Sequence, residues 1–235
     1  MKIIRKVLFL AICIAGSNAT YASVSDSVTD TKKVVDFNIL KIHGNFNVVI
    51  TQGKTCSLKV VAADKDAVAA VDIKSSPTLN ITMKEGTKSS ATLYITVKED
   101  IRQITINTIG NVSSTNSIKA ENFALNIDGD ANVNMSIDIT LFTYTSSSSK
   151  PIVIKGKAKT CNFNDSGEGS VDASGLKIDN LNLDDSSDGE LKVYAKPEMH
   201  VKLSGTGALI YYGSPRVKTF KLAGQADEKQ ITESK

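Results

Sequence analysis

Tryptophan is absent from this 235-residue chain, histidine occurs only twice, cysteine three times and proline four times. Each shortage excludes something. The two histidines, His43 and His200, stand at metal-ligand spacing neither from one another nor from a cysteine, so a zinc site has no support. Serine is plentiful, yet no Gly-x-Ser-x-Gly elbow or other nucleophile motif surrounds one. The glycine-rich turns lead into no helical pattern, which removes phosphate-cradling loops and dinucleotide fingerprints and, with them, any expectation of an organic cofactor. The longest apolar run, Val7 to Ala15, is nine residues. A membrane-spanning helix needs roughly 20, so no transmembrane segment is expected.

That short run follows Lys2, Arg5 and Lys6 and precedes the small residues Ser17, Ala19 and Ala22. This is the pattern of a secretory signal peptide. Residues 1–22 are taken as the signal, with cleavage after Ala19 as the other possibility; a lipoprotein reading through Cys13 fits poorly, because the bulky Ile12 precedes it. Removing 1–22 takes three basic residues and no acidic one, leaving 25 Lys+Arg against 25 Asp+Glu. The apparent basicity therefore belongs to the signal, and the electrostatic footprint of a nucleic-acid binder is missing. Only Cys56 and Cys161 survive export; each sits at an alternating apolar position, which suits two buried thiols, and whether they pair is left open.

Residues 23–33 show no apolar period and are expected to be a flexible lead-in. From Phe37 onward two-residue alternation takes over, at Phe46-Val48-Ile50, Cys56 to Val60, Leu79 to Met83, Leu93 to Val97 and Ile104 to Ile106. One short helix is expected over Asp64 to Val71. The second half repeats. Val133, Ile152, Val171, Leu191 and Leu209 lie 18 to 20 residues apart, and the residue two places on is again apolar or small in each unit: Met135, Ile154, Ala173, Val193 and Tyr211. Two further apolar columns run through Phe123, Phe142, Cys161, Leu181 and Met199 and through Leu125, Tyr144, Phe163, Leu183 and Val201. Polar turns separate the faces, among them Ser166-Gly167-Glu168-Gly169 and Ser204-Gly205-Thr206-Gly207, whose glycines are expected at corners needing positive φ.

A unit this short cannot bury its apolar side alone; stacking one coil on the next at about 4.8 Å lines like residues into internal ladders. The reading is an all-β fold, a parallel β-helix or β-solenoid with coils of about 19 residues, the alternative being a β-sandwich. A single domain is expected over 34–225, with less regular coils or a cap at 34–110, the regular repeat at 111–225, and a polar, disordered tail at 226–235.

Two stretches carry a family resemblance. Phe37-Asn38-Ile39-Leu40-Lys41-Ile42-His43-Gly44-Asn45-Phe46 running to Gly53 resembles the opening motif of the putative auto-transporter adhesin, head GIN domain family, and Leu203-Ser204-Gly205-Thr206-Gly207 leading to Tyr211-Tyr212-Gly213-Ser214-Pro215 is similar to its closing motif. The likeness spans about residues 35–225. It implies a β-helical fold, export in Bacteroidota to the periplasm or outer surface, and an adhesive role; it carries no catalytic or ligand residues with it. The Ser146 to Ser149 turn departs from the family's Ser-Gly-Ser-Gly pattern by lacking glycine.

Two groups of residues are candidates for binding. In the repeat register Asp165 stacks on Asp185 and Glu168 on Asp188, four carboxylates on neighbouring turns; calcium takes six to eight oxygen ligands in flexible geometry and suits such a corner. The same acids define a rival class, a carbohydrate-active enzyme working by paired carboxylates. The Tyr211-Tyr212 pair is a candidate sugar platform, one ring inward and one outward. The preferred function is a non-enzymatic interaction module at the cell envelope, its partner a glycan or an envelope or host-surface protein; the third class is a structural or signalling-linked periplasmic scaffold.

Overall fold

The computed structural model describes residues 27–226 and 231–234. The signal peptide expected at 1–22 and the start of the lead-in lie outside them. The chain is nearly all β, and it is a β-solenoid, built in its regular half from five long strands, the last four of which travel most of the way round a coil: β10 (Ile118–Ile127), β11 (Asn132–Ser146), β12 (Ile152–Asp165), β13 (Val171–Asp185) and β14 (Leu191–Leu203). Neighbours pair in parallel, with Val133 opposite Ile152, Ile152 opposite Val171, and Val171 opposite Leu191. The repeat read in the sequence is therefore the hydrogen-bonding register itself. Consecutive parallel pairing of this kind excludes the β-sandwich alternative, whose strands run antiparallel.

Alternation does the sorting. Successive side chains of a strand point to opposite faces, so each apolar residue at a two-residue interval turns inward and meets its equivalent one coil away. All four apolar columns are buried, and their aromatics stack along the axis: Phe123 on Phe142 at 6.1 Å and Tyr144 on Phe163 at 4.1 Å between ring centroids. Full burial of one such side chain stabilises by about 1.5–3 kcal/mol, so a column of five is a substantial share of the core. Cys161 is buried in its column and half-buried Cys56 lies elsewhere; both thiols are free.

The irregular N-terminal half is solenoid too, but its coils are not stacked in chain order. The coil of β2 (Ile39–Gly44) and β3 (Phe46–Gln52) lies between that of β6 (Thr78–Met83) and β7 (Ala91–Val97) and that of β8 (Gln103–Thr108) and β9 (Asn111–Ser114). Three antiparallel strands close this end: β4 (Ser57–Ala62) against β7, β5 (Val71–Ser75) against β6, and β1 (Val28–Lys32) against β4. Between β4 and β5 the expected helix appears as α1 (Lys65–Ala69); Asp64 caps it by accepting the Ala67 amide at 2.7 Å, and its Ala67 and Val68 are buried over the end of the core.

Part of the expected lead-in is thus ordered: residues 28–32 form β1, because the open edge of β4 offers unpaired amides and carbonyls that a Val/Thr segment fills without an apolar period. The other end behaves alike. After β15 (Leu209–Tyr212) and the closing strand β16 (Val217–Leu222), β17 (Ile231–Glu233) lies within the expected polar tail, yet it pairs in parallel with β15.

The turn glycines serve a different purpose from the one expected. Gly129, Gly167, Gly169, Gly189, Gly205 and Gly207 do not adopt positive φ; a Cβ at Gly189 would stand 2.1 Å from the carbonyl oxygen of Gly169, and one at Gly205 would stand 2.0 Å from that of Ser187. The turns are hydrogen-bonded from coil to coil, as in Asp188 N to Gly167 O at 3.1 Å and Gly207 N to Ser187 O at 3.0 Å, and only a residue without Cβ lets the backbones approach so closely. Gly189→Ala is expected to cost about 1–3 kcal/mol in urea unfolding, as overpacking does. Gly175→Ala, whose Cβ would meet nothing nearer than the flexible Lys155 side chain at 3.3 Å, should stay within about 0.5 kcal/mol.

Candidate functional site

The four acidic residues expected to share a turn are divided between the inside and the outside of the solenoid. Asp165 and Asp185 pair in register as anticipated, but both point inward, 1% and 3% exposed, while Glu168 and Asp188 are exposed. The alternation that gives ladders also separates residues three apart onto opposite sides of the wall. Asp188 is already engaged: its Oδ1 accepts the amide and hydroxyl of Thr206 on the next coil, just as Asp130 accepts both donors of Ser149. These hydrogen bonds hold the Asp188 and Asp130 carboxyls below their ordinary range.

Inside, Ser146, Asp165 and Asp185 form one polar column that Ile127 precedes and Leu203 follows. The Ser187 amide donates to Asp185 Oδ1 at 2.9 Å and the Ser148 amide to Ser146 Oγ at 3.2 Å, the two-residue bonds by which Asp and Ser shape corners. Burial, and then the neighbouring Asp185 charge, push the Asp165 carboxyl up to about 6, although the Gly167 and Ser166 amides and Ser146 lie near enough to oppose the shift. Burial also raises Asp185. Tyr144, one turn position away in the next column, is fully buried; burial, and then the Asp165 charge, raise its phenol well above the usual value.

Outward, the same strands display a second set of ladders that neither the acids nor the tyrosines predicted. Between the buried columns stand Thr143 and Thr145 on β11, Asn162 and Asn164 on β12, Asn182 and Asp184 on β13, His200 and Lys202 on β14, and Thr219 and Lys221 on β16, each pair in register with the next. They line a shallow groove of about 640 Å³ across five strands. Asn182 Nδ2 donates to Asn162 Oδ1 at 3.1 Å, and Lys202 pairs with Asp184 at 2.9 Å. The signal was present as Thr-x-Thr and Asn-x-Asn spaced by one repeat, in the positions the apolar periodicity leaves over.

The tyrosine pair divides as alternation requires. Tyr211 is 5% exposed and packs against Phe220; its hydroxyl donates to Glu233 Oε2 at 2.8 Å and accepts from Lys218 at 3.2 Å. It fastens β17 to the end of the solenoid and offers no ring to a ligand, which corrects its place in the sugar platform. Tyr212 faces outward beside Tyr194, its partner in register, at a shallow depression with Ser174, Lys196, Ser214 and Ser234. Gly213, at φ +99°, lies under the Tyr194 ring; a Cβ there would come within 3.1 Å of it.

A parallel β-solenoid with ladders of amides and hydroxyls along its outer face is a repeat scaffold of the kind that presents extended binding surfaces. The chain belongs to the putative auto-transporter adhesin, head GIN domain family, whose model matches residues 36–215. Among solved structures it is similar to a putative adhesin from Bacteroides fragilis, with a TM-score of 0.81 at 20% identity over 88% of this chain and 97% of that one. It is also similar to a putative lipid binding protein from Parabacteroides distasonis (TM-score 0.68, 19% identity, 89% and 97% covered) and to a putative adhesin from Parabacteroides merdae (0.61, 16%, 89% and 96%). At these identities the likeness shows the fold. No curated protein matches the sequence significantly.

The buried carboxyls give stability a definite pH dependence. A folded-state value of about 6, against 3.8 ordinarily, means the folded chain holds this proton more tightly than the unfolded chain; the stabilisation is full below about pH 4 and is lost as pH rises through about 6. In metal-free buffer Asp165→Asn is expected to unfold at higher urea than the parent at pH 7.5, by on the order of 2–3 kcal/mol, and to lose that advantage at pH 4. Equal midpoints at pH 7.5 would show that Asp165 is not held in a desolvated site.

Proposed function

We propose that the protein is an exported, non-enzymatic interaction module of the cell envelope that holds an extended, hydroxyl-rich polymer, a glycan strand, along the outer Thr/Asn face. The observation that carries this reading is the recurrence of a pair of polar side chains at the same two outward positions on five successive strands. Neighbouring strands stand about 4.8 Å apart, close to the length of one pyranose residue in an extended chain, so each coil can address one sugar. Threonine supplies a donor and an acceptor, and asparagine two donors and an acceptor, the mixture that sugar hydroxyls match. Single contacts of this type are worth about 1 kcal/mol, and affinity comes from their number along a rigid rod.

An enzymatic role has less support. Hydrolysis of a glycoside by paired carboxylates needs two of them facing the substrate; Asp165 and Asp185 are inside, Asp188 is bonded to Thr206, and Asp184 on the groove is paired with Lys202, which leaves Glu168 as the one exposed acid of the original four outside these contacts. An acyl-chain ligand suits the face poorly, since its outward side chains are amides, hydroxyls and charges. The location proposed is the periplasm or outer surface. Among the described residues no helix is long and apolar enough to cross a membrane.

The test is a glycan array probed with the exported chain, repeated with the double variant Asn162→Ala/Asn182→Ala. Binding to at least one extended glycan is expected, with Kd raised about tenfold or more in the variant, the equivalent of losing one or two hydrogen bonds. Its melting temperature should not move, because both residues are exposed. A protein that binds no glycan, or a variant that binds as tightly as the parent, would move the assignment to the scaffold class.

A further inference from the structure

The interior around the Ser146, Asp165 and Asp185 column holds further buried polar groups. Tyr144 Oη, both carboxylate oxygens of Asp165 and Ser187 Oγ are buried without a well-formed hydrogen bond; Tyr144 shares its coil with Ser146, Ser187 shares its coil with Asp185, and Asp165 lies on the coil between. Tyr144 is 0% exposed on the coil before Asp165, and the charges of Asp165 and, less strongly, Asp185 act on its phenol. Neither carboxyl takes part in a salt bridge among the described residues. Two like charges, unpaired inside a protein, are costly, and orphaned polar atoms at this depth call for a partner.

We propose that this column is an internal binding site for a calcium-class divalent cation, seated between the coils that carry Asp165 and Asp185 and completed by Ser187. The donor set is all oxygen, which selects a hard cation. The charge to be neutralised is two. The spacing suits the larger ion: oxygens at opposite sides of a calcium at about 2.4 Å are separated by about 4.8 Å, which is the distance between adjacent coils. Magnesium binds at about 2.0–2.1 Å and keeps several waters, for which a packed interior has little room. This site differs from a surface corner made by Glu168 and Asp188, and it does not depend on the outer face or on what binds there.

Such an ion enters as the coils close, so the full chain is refolded in calcium or in chelator, and melting temperature and bound metal are measured on both. With calcium at a hundredfold excess over its Kd the melting temperature is expected to rise by about 5–10 °C, with one calcium retained per chain. Asp165→Asn and Asp185→Asn should each abolish the rise, Ser187→Ala should reduce it, and Glu168→Gln/Asp188→Asn should leave it intact. The isosteric asparagines preserve packing, and chelator-treated Asp165→Asn serves as the folded control. Retention of no metal with an unchanged melting temperature would overturn the site and leave a protonated carboxyl pair. Loss of the rise in the Glu168/Asp188 variant would overturn it equally, by placing the ion on the surface.

Discussion

Every property of this molecule follows from the hydrogen-bond ladder that ties each coil to the next. Parallel strands about 4.8 Å apart, kept in register from Val133 opposite Ile152 onward, bring each residue against its counterpart one repeat away. A side chain is therefore selected against a copy of its own position. Inward, that favours apolar columns and stacked rings; at the corners it favours glycine, because the ladder passes through the turns and brings one carbonyl within about 2 Å of where the next coil's Cβ would stand. The backbone spacing leaves no latitude, so side chains do the accommodating.

The same rule explains the two polar features. On the outside it multiplies an ordinary threonine or asparagine into a row, and a row of weak donors and acceptors is what a repeating ligand can use. On the inside it stacks Asp165 on Asp185, an arrangement that a low dielectric penalises. The corner amides relieve part of that cost by donating into the column, as Ser187 does to Asp185. The unpaired oxygens of Asp165 and Tyr144 mark what remains.

A solenoid also has two ends, and both are closed by strands that the repeat does not contain. At the N-terminal end β1, β4 and β5 run antiparallel to their neighbours and α1 lies over the core; at the other end Tyr211 and Lys218 grip Glu233 and hold β17 against β15. Exposed edges of parallel sheets invite association with other chains, and these caps answer that problem with backbone pairing and charge.

The periodicity of the sequence by itself determined the regular half: the 18- to 20-residue spacing, the four buried columns, the all-β class and the solenoid are consequences of alternation, which is local and legible. His43 and His200 outside, Tyr211 inside and Tyr212 outside follow from the same count. The stacking order of the first coils was decided only in three dimensions, since β2 and β3 lie between coils that come later in the chain, and no local pattern encodes a non-sequential insertion. Tertiary structure likewise ordered Val28–Lys32 and Ile231–Glu233, whose strand character depends on edges offered by distant residues. It also separated the acids. Asp165 and Glu168 look alike as letters three apart, but only the closed wall of the solenoid makes one of them a desolvated carboxyl and leaves the other in water.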